Sequence, residues 1–209
     1  MAKVRDEPRV FLDRLTRGPA GLLLGQRHLA LGTTTDPLLE IARRKLNLPK
    51  DAAGTFDMLF QWSAEAHGGD FLDWLDNKAR TLAVSEQLES IAKYPWVGVW
   101  SSAIDTLWAD AFQSSWREVQ KVFGESYRAP DPRNRRRLHC TFLFGSINRS
   151  DPDERPPVTR LEYLRRRGVA QSLARRIPEV IGPIGTLAID GYGGGDWFTA
   201  EDLVGVVAQ

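Results

Sequence analysis

The sequence is poor in the residues from which many catalytic and metal sites are built. Its 209 residues include one cysteine, Cys140, and three histidines, His28, His67 and His139. A single cysteine excludes an intramolecular disulfide framework and suits a reducing compartment, and its place in an apolar run favours packing in the core. A metal centre built from cysteine and histidine is not expected from so few ligands, and we predict no metal site.

The sequence also lacks a strong net charge and long apolar runs. Its 28 basic residues nearly cancel 27 acidic ones, so the net charge of +1 gives no general attraction to nucleic acid or to an anionic membrane. No stretch approaches the ~20 apolar residues of a membrane span, and the charged N-terminus lacks the apolar core of a signal peptide. We therefore expect a cytoplasmic protein with no membrane association.

What the sequence does contain predicts one α/β domain over residues 1–209. Hydrophobic residues make up 42% of the chain and include seven tryptophans, enough for a single core. Four apolar runs alternate with helical patterns, and a further strand is possible at 118–123. This order predicts a Rossmann-like, mostly parallel sheet with flanking helices, and a helical insertion lobe at 51–93. The four predicted strands are Leu22–Leu24, Val97–Ser101, Thr141–Phe144 and Thr186–Ile189.

Several helix starts are marked by capping residues. Asp36 precedes a proline and an apolar periodic stretch, and Thr159 is followed three residues later by Glu162, which is the capping-box spacing. A helix is also expected over Val10–Arg17, and another from about Thr199. Two of these helices follow the first and third predicted strands, and the other two lie before the first strand and after the last.

The predicted strands end in small or acidic residues, and ligands of open α/β sheets bind at the carboxyl ends of strands. Glycine amides there can hold a pyrophosphate, whereas Asp105 can either hold a ribose hydroxyl or cap the next helix. The predicted nucleotide-binding residues are Gly25, Gln26, Ser102, Asp105, Gly145, Ser146, Gly191 and Tyr192.

Four of these stretches, in this order, resemble motifs of the bacterial sirtuin-like family. They are Ala103-Ile104-Asp105, Leu143-Phe144-Gly145-Ser146, Thr159–Tyr163, and Gly191-Tyr192 followed by Asp196. The resemblance spans Leu22 to Leu203. It implies a Rossmann-type domain, NAD or ADP-ribose as cofactor, and a role in bacterial defence against phage.

The departures from the family pattern fall on its chemistry. Phe144 stands where the family has its catalytic histidine, Ala103 stands where it has asparagine, and Gly25-Gln26 lacks the second glycine of the first loop. A phenyl ring cannot accept a proton from a ribose hydroxyl. His139 lies five residues upstream and, on an extended strand, faces away from Phe144, so it could replace the base only through a bulge.

The sequence therefore favours a degenerate sirtuin-like domain that senses a nucleotide or serves as a scaffold. The alternative is an active NAD hydrolase that uses a non-standard base. A nucleic-acid-binding module that uses Arg133–Arg137 and Arg165–Arg167 is less favoured, because the net charge is small. We expect the chain to be the N-terminal part of a longer protein, with a protein partner or further domains. Its crevice is either open or filled by Phe144 and Leu23-Leu24, and the filled form is slightly favoured.

Overall fold

The protein is built on a five-stranded sheet in which all strands are parallel. The computed structural model describes residues 8–30, 36–48, 70–113, 117–124, 134, 136–151, 153–193 and 196–207. The sheet order is β3-β4-β2-β1-β5, and every neighbouring pair is parallel. This arrangement confirms the predicted α/β, Rossmann-like class. The strands are β1 (Ala20–Leu24), β2 (Gly98–Ser101), β3 (Glu118–Phe123), β4 (Arg137–Phe142) and β5 (Thr186–Asp190).

The described helices precede the first strand, lie between β1 and β2, between β2 and β3 and between β4 and β5, and follow the last strand. Within the described ranges, no helix is both long and apolar enough to cross a membrane. The second half of the predicted insertion lobe forms two of the helices, whereas residues 51–69 lie outside the described residues. The helices are α1 (Pro8–Arg17), α2 (Pro37–Lys45), α3 (Asp70–Ala79), α4 (Glu86–Ala92), α5 (Leu107–Ala111), α6 (Arg160–Ala174), α7 (Ile177–Ile181) and α8 (Ala200–Val207).

The predicted caps of α2 and α6 are both formed. Asp36 Oδ1 accepts hydrogen bonds from the amides of Leu38 (2.8 Å) and Leu39 (3.1 Å). Thr159 Oγ1 accepts from the amide of Glu162 (3.2 Å) and so satisfies one of the free donors of the first turn of α6. Local sequence signals therefore position the starts of two helices that border the carboxyl edge of the sheet.

The strand predicted at Thr141–Phe144 has different bounds in the structure. It begins earlier, at Arg137, and ends at Phe142, after which the chain turns and Gly145 adopts a left-handed conformation with φ of +79°. The prediction failed at this end because Leu143 and Phe144 are as apolar as the strand, so hydrophobicity does not mark the turn. The possible strand at 118–123 is present as β3, at the sheet edge next to β4.

Both faces of the sheet are buried, each under its own hydrophobic cluster. Leu23 and Trp100 belong to one cluster, whereas Leu22, Val99 and Cys140 belong to the other. Alternate residues of β1 thus point to opposite faces, and both faces are covered, as in doubly wound sheets. Burial raises the pKa of the Cys140 thiol, which fits the predicted packing role.

The direction of chain progression reverses at β1. After β1 the chain adds β2 on one side, but it later returns to place β5 on the other side of β1. In register, Leu24 lies between Ser101 of β2 and Asp190 of β5. A reversal of this kind leaves a crevice at the carboxyl ends of the strands, where ligands of open α/β sheets bind.

Candidate functional site

The predicted site residues lie along the carboxyl edge of the sheet. Residues 25–26, 102–105, 145–146 and 191–192 follow β1, β2, β4 and β5, in that order. Backbone hydrogen bonds tie this edge together, since the amide of Ser102 donates to Leu24 O (3.1 Å) and that of Ile147 donates to Ile104 O (2.8 Å). Four sequence-distant segments therefore meet in one region.

All three backbone amides of the turn that follows β1, residues 25–27, donate hydrogen bonds to the end of β5 and to the segment after it. In chain order, the three amides donate to the carbonyl of Asp190 (2.9 Å), the carboxylate of Asp196 (2.8 Å) and the carbonyl of Gly191 (3.0 Å). A Cβ on Gly25 would overlap the backbone of Gly191, so only glycine allows this approach. The amides predicted to hold a pyrophosphate are thus bonded within the chain.

Asp196 forms the side-chain part of this contact. Its two oxygens accept from the amides of Gln26 (2.8 Å) and Phe198 (3.1 Å). The residue keeps some exposed surface, but protein atoms enclose its carboxylate, and this burial raises the pKa of Asp196 to about 6. The nearby Ser102 hydroxyl lowers that pKa, although its oxygen is not aligned for a hydrogen bond.

A buried histidine–aspartate pair lies at the same edge. His28 Nε2 is 3.3 Å from Asp105 Oδ1, and the two side chains are 0% and 3% exposed. Neither ring nitrogen is aligned for a hydrogen bond, so the contact is an ion pair when the imidazole is protonated. Burial lowers the pKa of His28, but the charges of Asp105 and then of Asp36 raise it by more, so the net shift is upward. The pair thus favours the imidazolium form.

Asp105 also accepts a hydrogen bond from the amide of Leu107 (3.0 Å) at the start of α5. Two roles were predicted for Asp105, a contact at the helix start and a contact with a ribose. The contact at the helix start is present, and the other interaction of the carboxylate is with His28. In the sequence, His28 stood out only as one of three histidines. Its position four residues beyond a strand gave no indication of a partner on a distant loop.

Other buried polar atoms accumulate around this pair. Gln26 Nε2 and the hydroxyls of Ser102 and Ser146 are inaccessible to solvent and make no hydrogen bond with the described protein atoms. All three residues are at most 7% exposed. Buried polar groups are normally paired, so their concentration at one edge is typical of a binding crevice rather than of a core.

An aromatic cluster occupies the end of β4. Phe144 is 0% exposed, and its ring stacks on Tyr163 with centroids 6.1 Å apart and contacts the edge of Trp197 at 5.4 Å. The Tyr163 hydroxyl donates to Trp197 O (3.1 Å). The position that the family resemblance assigns to a catalytic histidine is therefore buried within a cluster of three aromatic rings.

The Gly145-Ser146 pair is also enclosed. Ser146 N donates to the carbonyl of Glu154 (2.8 Å), and a Cβ on Gly145 would overlap that same carbonyl. The loop that follows β4 therefore folds back over its own turn. The Ser146 amide, like the amides of the turn at 25–27, is thus bonded within the chain.

His139 lies away from this edge. It is three residues before the end of β4, about 10 Å along the strand, where burial and then the charge of Arg117 lower its pKa. The alternation used to place it opposite Phe144 does not apply, because the extended strand stops at Phe142 and Phe144 packs in the same cluster as Leu143. His67 lies outside the described residues.

The predicted basic surface at Arg133–Arg137 is described only in part. Arg136 and Arg137 are exposed, and Arg137 lies 3.5 Å from Glu118 in an ion pair, whereas Arg133 and Arg135 lie outside the described residues. A separate cleft of about 720 Å³ is lined in part by Lys93 and Arg117. It contains none of the predicted site residues.

No family model matches the chain, and no curated protein matches it. Among the residues described here, no group of three or more histidine, cysteine, aspartate or glutamate side chains is arranged to hold a metal ion. The fold and the edge geometry therefore define an α/β Rossmann-like domain.

Stability is expected to fall as the pH rises from about 5 to about 8. The pKa of Asp196, ordinarily 3.8, is about 6 in the folded protein, and the pKa of His28 lies above its ordinary 6.5. A raised folded-state pKa contributes stability that is complete below the unfolded value and is lost as the pH passes the folded value. The stability contributed by Asp196 is therefore lost between about pH 4 and 6, and the stability contributed by His28 is lost above pH 6.5.

Melting temperatures measured across this range would check this prediction. Burial also raises the pKa of Asp36, so the variant Asp196→Asn should reduce the slope below about pH 6 and keep the parts due to Asp36 and His28. A melting temperature that rises steadily from pH 5 to pH 8 in the unaltered protein would contradict it.

Proposed function

We propose that the chain is a sirtuin-like Rossmann domain that does not hydrolyse NAD and acts by sensing a nucleotide or by holding a partner, in bacterial anti-phage defence. The observation that carries the proposal is Phe144, which is buried between Tyr163 and Trp197 where the family resemblance assigns the catalytic base. A phenyl ring can neither accept a proton nor hydrogen-bond a ribose hydroxyl.

The turn at 25–27 supports the same proposal. Its three amides donate to backbone and side-chain oxygens from Asp190 to Asp196, so they are not presented to a cofactor in this conformation. The buried polar atoms of Gln26, Ser102 and Ser146 nevertheless remain at the edge. Together these features favour a closed crevice that has the polar lining of a binding site. Such a crevice suits binding of a ligand better than hydrolysis of NAD.

One observation favours a second candidate, an NAD hydrolase with His28 as the base. Of the two histidines in the described part of the chain, His28 lies at the carboxyl edge, and Asp105 would orient its ring. Two properties oppose this role: the side chain is fully buried, and the adjacent carboxylate favours its protonated form. A protonated imidazole cannot accept the proton of a ribose hydroxyl.

Purified protein incubated with NAD is expected to release no nicotinamide above background, as measured by chromatography. Phe144→His alone should not create activity, because Ala103 still lacks the polar group that the family has at that position. Hydrolysis that disappears in His28→Gln would overturn the proposal in favour of the second candidate. Calorimetric titration with NAD and ADP-ribose then separates the two binding roles, since micromolar binding supports a sensor and absence of heat at millimolar ligand supports a scaffold.

A further inference from the structure

The turn at 25–27 has the properties of an anion site that the chain itself occupies. Three consecutive amides point toward one segment, and the middle amide, that of Gln26, donates to a carboxylate oxygen of Asp196 at 2.8 Å. Consecutive backbone amides at the end of a β-strand are a common way to bind phosphate oxygens. Asp196 therefore makes the contact that a phosphate oxygen would make there.

The segment that carries Asp196 is seated directly on the turn. A Cβ on Gly25 would overlap Gly191 O and Tyr192 Cα, so no space separates the two backbones. An anion that approached these amides would need the same space. Binding of an external anion and the present position of the segment are therefore mutually exclusive.

The segment is held at both ends by groups inside the fold. Gly191 N donates to Asp190 Oδ1 (2.7 Å), and the Tyr192 hydroxyl donates to Phe198 O. Phe198, only 1% exposed, anchors the far end in the core. Between these anchors, the contact of Asp196 with the Gln26 amide is the one that an anion would replace.

We propose that Asp196 is an autoinhibitory carboxylate that blocks a latent phosphate-binding turn at residues 25–27. The inference rests on the proposed function, because it assigns the crevice to phosphate-bearing ligands such as nucleotides. An anion binds once Asp196 leaves the Gln26 amide, so binding exchanges one acceptor of that amide for another. The hydrogen bond between Gln26 and Asp196 is thus the reversible contact that blocks the turn.

Calorimetric titration with inorganic pyrophosphate, and separately with ADP-ribose, tests the proposal. Asp196→Asn keeps the side-chain shape but removes the negative charge that competes with the ligand, and it should bind pyrophosphate about tenfold or more tightly than the unaltered protein. Asp190→Asn is the matched control. It removes the same charge from the end of β5, but its side chain bonds Gly191 N rather than the turn, and the oxygen of asparagine can keep that bond. Asp190→Asn should therefore gain much less affinity than Asp196→Asn.

Amide chemical shifts provide the second readout. Pyrophosphate added to Asp196→Asn should shift the Gln26 amide resonance more than amides elsewhere. If Asp196→Asn does not fold, Tyr192→Phe takes its place, because it removes the hydroxyl that bonds Phe198 O and leaves every charge in place. This variant should also bind pyrophosphate more tightly.

An equal affinity of folded Asp196→Asn and the unaltered protein would overturn the proposal, and so would an equal gain in Asp190→Asn. If Tyr192→Phe serves as the test variant, the absence of a gain in it would have the same meaning. These outcomes are independent of the nicotinamide assay. NAD hydrolysis by the unaltered protein would overturn the proposed function, whereas unchanged affinity in the variants would overturn only the role of Asp196.

Discussion

Asp105→Ala is expected to lower the free energy of unfolding by about 3–5 kcal/mol, the usual cost of breaking a buried pair by removing one partner. The imidazole of His28 is fully buried, 3.3 Å from the Asp105 carboxylate, and its raised pKa depends on that charge. The change also removes the acceptor of the Leu107 amide at the start of α5. Urea unfolding followed by tryptophan fluorescence would measure the loss.

Asp110→Ala is the control for this experiment. Asp110 also forms an ion pair, with Lys121 at 2.6 Å, but its side chain is 58% exposed. Its removal should cost no more than about 1 kcal/mol, as for other exposed pairs. Equal losses in the two variants would show that the buried pair is no stronger than a surface pair. The double variant His28→Gln with Asp105→Asn should lose less than the two single changes together, because no buried charge remains.

Phe144→Ala is expected to cost about 3–5 kcal/mol, the usual range for deletion of a buried phenyl ring. Phe144 is fully enclosed, and its loss removes the ring contacts with both Tyr163 and Trp197. Phe144→Leu retains most of the volume and should cost less than about 1.5 kcal/mol beyond the lost aromatic contacts. Chemical denaturation of both variants would measure the difference.

Comparison of these two variants separates the stability due to the volume of the side chain at position 144 from the stability due to its aromatic contacts. Similar small losses in both would mean that the cluster collapses around the vacated space, so that Phe144 is not tightly packed. A large loss in Phe144→Ala together with gained affinity for ADP-ribose would show that the ring fills part of the crevice, as the sequence slightly favoured.

Much of the fold could be predicted because its signals are local. The last strand is an apolar run bounded by turn residues, and it was predicted within one residue of the observed Thr186–Asp190. The caps at Asp36 and Thr159 act within three residues of themselves, so a short window of sequence contains the whole interaction. The parallel sheet followed from the alternation of such strands with helices.

The contacts within the site could not be predicted in the same way. The pairing of His28 with Asp105 and that of Gln26 with Asp196 join residues brought together only by the order of the strands. The sequence identified Asp105 by its position after a strand, but nothing local assigned it a histidine partner. The end of β4 was misplaced for the opposite reason, since Leu143 and Phe144 continue the apolar run through a turn.

The packing around Phe144 bears on how this domain can evolve. Under the proposed function, phenylalanine stands where the family resemblance assigns a histidine, and it is enclosed by Tyr163 and Trp197. A histidine at this position would place a polar ring in an apolar cluster and cost stability before any activity arose. Because Ala103 would have to change as well, at least two substitutions would be needed before hydrolysis could be selected. Proteins that share this packing are therefore expected to differ in their surfaces and partners rather than to hydrolyse NAD.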